Sequence, residues 1–114
     1  MDPVSAILIN KALDELTLRS EVTAQNIANA NSPGYRPLRV SFEKSLRTAA
    51  GRGEVAVQAS GPKIERDDML RAGSEMRLDL ELATASETAM RYAALIDLLS
   101  RQIAISRIVI KGGQ

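Results

Sequence analysis

The chain has 114 residues, a formal net charge of +1 and no cysteine, histidine or tryptophan. Those absences exclude disulfides, zinc centres, thiol nucleophiles and imidazole acid–base chemistry, and the balanced charge gives no electrostatic footprint for nucleic acid. Phe42, Tyr35 and Tyr92 are the only aromatics, so the composition suits long amphipathic helices better than a thick core. No run approaches the ~20 apolar residues of a membrane-spanning helix. The Met1-Asp2-Pro3 opening lacks the positive start of a cleavable signal peptide, so any export is expected to use another route.

The first element is a helix from about Pro3 to Ala30. Asp2 is a good N-cap, and Pro3 suits the first helical position because its missing N–H has no helical partner there. A 3–4 spaced seam runs Ala6, Ile9, Leu13, Leu16, Ser20, Thr23, Ile27, Ala30. Glu15 and Arg19 stand one turn apart in the favourable order. The helix stops before Pro33, which disfavours helical geometry at Ser32. Pro33-Gly34 then fits the central positions of a type II turn, where glycine tolerates positive φ.

The middle is weaker. Val40 to Thr48 reads as a short helix with Phe42 and Leu46 on one face. From Ala50 to Met76 the periodicity dissolves among Gly51, Gly53, Gly61, Pro62 and Gly73. Glu54 to Val57 has the look of a brief strand, and the whole stretch is expected to be flexible unless a partner orders it.

The last helix is expected from about Leu80 to Lys111, with Asp79 as its cap and Gly112 and Gly113 at its end. Its seam is Leu82, Ala85, Ala89, Tyr92, Ile96, Leu99, Ile103, Ser106, Ile110, an alternation of three and four that marks a coiled coil. Acids gather early and bases late, matching the helix dipole. Glu87–Arg91 and Asp97–Arg101 are i,i+4 pairs. A second stripe runs Leu95, Leu98, Ile105, Val109. Helices apolar on two faces need neighbours on both. Those neighbours are other chains or, alternatively, the middle segment folding back.

These elements predict an all-α fold: two long terminal helices paired as an antiparallel coiled-coil-like hairpin, with a loop-rich middle. One domain divides into a helix over 1–31, a loop and flexible middle over 32–78, and a helix over 79–114.

The most distinctive stretch is Asn26-Ile27-Ala28-Asn29-Ala30-Asn31-Ser32-Pro33-Gly34-Tyr35. Three asparagines near a helix end are unusual because asparagine is a poor helix former. An amide both donates and accepts, so it suits binding of exposed backbone. From the residues alone, a frayed polar helix end before a turn is the plain alternative.

The stretch resembles the N-terminal signature of the flagellar rod, hook and hook-associated proteins, where a helix ends in Asn-Ile-Ala-Asn-x-x-Thr-Pro-Gly-Tyr. Ser32 stands where that family often has threonine. Leu16, Arg19 and Val22 are also familial. Ala89-Met90-Arg91-Tyr92-Ala93-Ala94-Leu95 is similar to the Leu-Arg-Tyr-x-Ala-Leu pattern of proximal rod proteins, and Leu78-Asp79-Leu80-Glu81 to their Val-Asp-Leu-Glu helix start. Glu75-Met76-Arg77 departs from it, standing where the family often has an Asn-Asn pair.

The resemblance implies a subunit that stacks helically, with copies of itself and other rod proteins, into the drive shaft crossing the periplasm. Its terminal helices would line an export channel. It would leave the cell unfolded through the flagellar type III apparatus and sit at the rod base, beside the export gate, the MS-ring and the adaptor protein FliE. No cofactor, metal, small-molecule substrate or nucleic acid is implied, and no catalytic residue. Subunit packing is assigned to Asn26, Ile27, Asn29, Pro33, Gly34, Tyr35, Tyr92, Leu95, Ile96, Leu98, Leu99, Ile103, Ile105 and Val109. The rival reading from a different class is a soluble helical binder or chaperone of flagellar export cargo. An enzyme fits least: Asp67-Asp68 reads as a solvated turn, and Tyr35 and Tyr92 have no base to activate them.

Overall fold

The computed structural model describes residues 1–67 and 76–112. Helix α1 spans Pro3–Ala28 and begins as its chemistry dictates. The Asp2 carboxylate accepts the Ser5 N–H at 2.9 Å and the Ser5 hydroxyl at 2.8 Å. That satisfies a donor the helix cannot satisfy itself and holds the Asp2 carboxyl below its ordinary range. The helix ends two residues earlier than its periodicity suggests. The chain then reverses at Ser32–Tyr35, where the Tyr35 N–H donates to the Ser32 carbonyl at 3.2 Å and Gly34 takes φ +73°. That is the type II turn expected of Pro33-Gly34.

Strand β1 follows at Leu38–Ser41, then helix α2 at Glu43–Ala50, helix α3 at Glu54–Ala59 and strand β2 at Lys63–Arg66. The strands pair antiparallel with Leu38 opposite Arg66 and Ser41 opposite Lys63. The fold is therefore mostly helical with a small sheet, a correction to the all-α label. Residues 54–57 form a helix rather than a strand. The helical turn directs Val57 into full burial while leaving Val55 81% exposed. Within the stretch expected to lack regular structure, Glu54–Ala59 is helix and Lys63–Arg66 is strand; residues 68–75 of it, Gly73 among them, lie outside the described residues.

Helix α4 spans Leu78–Gly112. Asp79 falls inside its first turn, paired with Arg77 at 2.7 Å, and is not its cap. The expected Glu87–Arg91 and Asp97–Arg101 pairs are present at 2.6 and 2.9 Å.

The core lies on one side of α1. Leu16 and Val22 meet Val40, Phe42, Leu46, Ala49 and Val57, with Val4, Leu8 and Leu95 packed at its edge. α4 lies along α1 on another face and runs antiparallel to it, since Asn26 near the end of α1 touches Glu81 near the start of α4. The face of α4 that turns inward carries Glu81, Thr84, Ala85, Thr88, Leu95, Leu99 and Gln102. This corrects the heptad seam: Leu82, Tyr92, Ile96, Ile103 and Ile110 are exposed. Periodicity finds the oiliest stripe of a helix. It cannot say whether the chain's own residues or another chain's cover it.

Candidate assembly surface

The corner that ends α1 is built on Asn26, whose side chain is completely buried. Its amide nitrogen donates to the Leu38 carbonyl at 2.9 Å and to Glu81 Oε2 at 3.0 Å. Its oxygen accepts the Tyr35 hydroxyl and the Leu38 N–H, both at 2.9 Å. All the hydrogen-bonding capacity that an amide side chain ordinarily uses is thus spent inside the subunit. Asn26, assigned from the sequence to subunit packing, instead holds the helix-to-loop corner of its own chain and is closed to an adjacent subunit. Asn29, by contrast, caps the helix end, donating to the Gln25 carbonyl and accepting the Ser32 hydroxyl. Pro33 and Gly34 form the exposed tip of the corner, and Ile27 and Tyr35 are half-buried.

Glu81 carries this network further. Arg39 Nη1 lies 2.5 Å from Glu81 Oε1, and Arg39 Nε lies 3.3 Å from Asp67 Oδ2. A buried carboxylate survives because a cation and an amide meet it from both sides. The network joins α1, β1, α4 and the segment after β2. Sequence reasoning missed Glu81 and Arg39, because nothing in their spacing connects positions so far apart.

A second ionic cluster ties α1 to the start of α2. Arg19 donates to both Glu43 oxygens at 2.7 Å and to the Val40 carbonyl at 2.7 and 3.2 Å, with its guanidinium 4.6 Å from the centre of the Phe42 ring. Arg91 reaches the same carboxylate from α4 at 3.0 Å. The Arg19 hydrogen bonds hold the Glu43 carboxyl down at about 2. Arg19 therefore serves Glu43 and not Glu15, its expected helical partner. Glu15 is buried with one oxygen unpartnered, and that desolvation raises its pKa.

The remaining assigned residues sit on α4. Leu95 and Leu99 are half-buried, while Tyr92, Ile96, Leu98, Ile103, Ile105 and Val109 are exposed. At ~100° per residue, Leu98, Ile105 and Val109 flank the inward face on one side, and Tyr92, Ile96 and Ile103 flank it on the other. Met90 and Ile108, both 69% exposed, lie round the back. The middle segment leaves this second stripe largely uncovered. Large apolar side chains exposed on more than one face of a helix call for neighbours there. None of the described helices is long and apolar enough to cross a membrane.

Comparison with known proteins points to one kind of relative. The chain is 28% identical over 107 residues to "Flagellar basal body rod protein FlgB" of Cereibacter sphaeroides, covering 82% of this chain and 84% of the relative. It is 22% identical over 123 residues to the protein of the same name from Bacillus subtilis (strain 168), covering 93% and 92%. A shorter stretch of 46 residues is 41% identical to the Borrelia hermsii protein, covering 40% of this chain. These likenesses, spread over three genera, support a flagellar rod protein of the FlgB type. No protein-family model matches the chain. Because the Bacillus match takes in 93% of the chain, the middle segment lies within the FlgB-type likeness along with the two ends.

Proposed function

We propose that the chain is a structural subunit of the proximal rod of the bacterial flagellar basal body, assembling helically into the drive shaft and export channel. One observation supports this reading most: α4 exposes large apolar side chains on several sides, while its own subunit covers one narrow face. Such a helix is incomplete alone and complete among neighbours. Leu98, Ile105 and Val109 on one flank, and Tyr92, Ile96 and Ile103 on the other, dock adjacent subunits. Pro33, Gly34 and the outer side of Tyr35 present the α1 corner to them. Asn26 acts from within by holding that corner in shape.

The role is mechanical and non-enzymatic. Its partners are copies of itself, other rod proteins, the adaptor FliE, the MS-ring and the flagellar export gate at the rod base. It reaches the periplasm through the flagellar type III apparatus without a cleaved signal peptide.

Deleting the gene and imaging purified basal bodies by electron microscopy tests this. Rings lacking a rod, in non-motile cells rescued by the intact gene, are the expected result. Normal rods in motile cells would overturn it and favour a soluble helical binder of export cargo.

A further inference from the structure

We propose that the groove between α2, α3 and the start of β2 is a docking site for an acidic amphipathic helix of another protein. The inference concerns the middle of the chain and does not depend on how the terminal helices assemble. The groove is open and holds about 860 Å³. Its α2 wall is one helical face, Ser45, Thr48 and Ala49 with Arg52 just past the helix end, and Ala56 and Ala59 of α3 stand across from it. Most of the lining is apolar, and all five of the wall residues before and after Arg52 are small. Small side chains let a second helix approach closely, and the interaxial distance of packed helices is set by such residues.

The charge at the groove has one sign. Lys44, Arg52 and Lys63 stand along it. Neither Lys44 nor Arg52 has a side-chain hydrogen bond or ion pair among the described residues. Lys63 meets Glu65 at 2.9 Å, a pair open to water on both sides and worth little. Glu43 is the one acid among the described lining residues, and its carboxylate is already held by Arg19 at 2.7 Å and Arg91 at 3.0 Å. The subunit therefore spends its local acid inward and leaves two cations unmatched beside an apolar floor. Lys44 and Arg52 are eight residues apart, about 12 Å at helical rise. Acids two turns apart on a partner helix are separated by about 10.5 Å. An occupant with acids at i and i+7 and small or aliphatic side chains between them meets both cations while its apolar face lies on the alanines. This is recognition of a helix in a groove, with charge setting the register.

The test uses the full-length chain and a fluorescein-labelled, alanine-based helical peptide of about fifteen residues. The peptide carries glutamates seven apart on one face and leucines between them. Anisotropy is expected to show saturable binding that weakens as salt rises. Lys44→Glu and Arg52→Glu are each expected to weaken it at least about tenfold. Ala59→Trp fills the floor and is expected to abolish it, whereas Lys111→Glu, remote on α4, is expected to change it less than about twofold. Circular dichroism checks that each variant keeps its helicity, and Arg52→Gln, a milder change at an exposed side chain, is expected to act in the same direction. No saturation at millimolar peptide would overturn the proposal. So would equal binding of a peptide with its glutamates scattered round the helix, equal binding of the lysine counterpart, or Lys111→Glu acting as strongly as Arg52→Glu. Tighter binding of duplex DNA or anionic vesicles would also overturn it and give the cations to a different class of partner. The assay needs no rod, so its failure leaves the rod-subunit reading standing, and a chain missing from basal bodies leaves this groove unaffected.

Discussion

Asn26→Asp isolates the buried corner with almost no change of shape. The new side chain keeps an oxygen to accept from Tyr35 and the Leu38 N–H, but it loses both donors. The bond to the Leu38 carbonyl is worth about 1 kcal/mol and the bond to the Glu81 carboxylate about 2. In their place stand two carboxylates about 3 Å apart in a site closed to water, with Arg39 offsetting only part of the repulsion. The expected loss is at least about 3 kcal/mol, a large share of the stability of a domain this size. With a urea dependence of about 1–3 kcal/mol per molar, the unfolding midpoint, followed by far-ultraviolet circular dichroism, should fall by roughly 1–3 M at pH 7. Neighbouring repulsion raises the pKa of the new carboxyl, so the deficit should shrink as pH falls below about 5 and the pair shares a proton. Asn29→Asp, at a position open to solvent, should cost under about 1 kcal/mol. A midpoint for Asn26→Asp within about 0.3 M of the parent would refute the hub.

Three further outcomes follow from the same structure. Val57→Ala should cost about 2 kcal/mol in urea unfolding, whereas Val55→Ala should cost almost nothing; equal effects would argue against the helix at 54–59. Glu43 has its pKa depressed to about 2, so its contribution is present above about 4.5 and is lost as pH falls from there toward 2. The parent should lose stability across that window and Glu43→Gln should lose less, with a modest difference because the side chain is partly open to water. Glu15 has the opposite sign: its raised pKa means that ionisation weakens the fold as pH rises above about 4.5. Glu15→Gln should therefore raise the neutral-pH midpoint, with the gain vanishing below about pH 4; a lower midpoint at pH 7 would contradict the burial of that carboxyl.

The two long helices and the turn between them were legible because each is written locally. Asp2-Pro3 starts α1, Pro33-Gly34 reverses the chain, and a 3–4 repeat persists along both helices. The identity of the inward face of α4 was not legible. Its inward positions are largely polar or small: Glu81, Thr84, Ala85, Thr88 and Gln102, with Leu95 and Leu99 among them. The oilier positions one residue along point out. A reading that seeks the strongest apolar stripe selects the wrong side when the subunit's own contacts are made by polar and small residues.

The middle segment failed for a different reason. Its glycines and short elements carry little periodic signal, and its packing comes from residues distant in sequence, such as Leu16 and Phe42 in the cluster with Val57 and Lys11, whose ammonium group reaches the Ser60 carbonyl at 2.7 Å. Asn26 was picked out by its odd placement. Its link to Glu81, and through Glu81 to Arg39, was invisible because a hydrogen-bonded hub has no sequence spacing.

The small sheet also bears on how such subunits stay apart before they assemble. A two-stranded ribbon has two raw edges, and each is a template for runaway strand addition. Along β1 three of the outward groups are already occupied: Asn26 plugs the N–H and carbonyl of Leu38, and Arg19 plugs the carbonyl of Val40. Along β2 the protection is cruder and consists of charge, with Lys63, Glu65 and Arg66 all exposed. Strand addition is thus opposed on one side by side chains that imitate a third strand, and on the other by electrostatic discouragement.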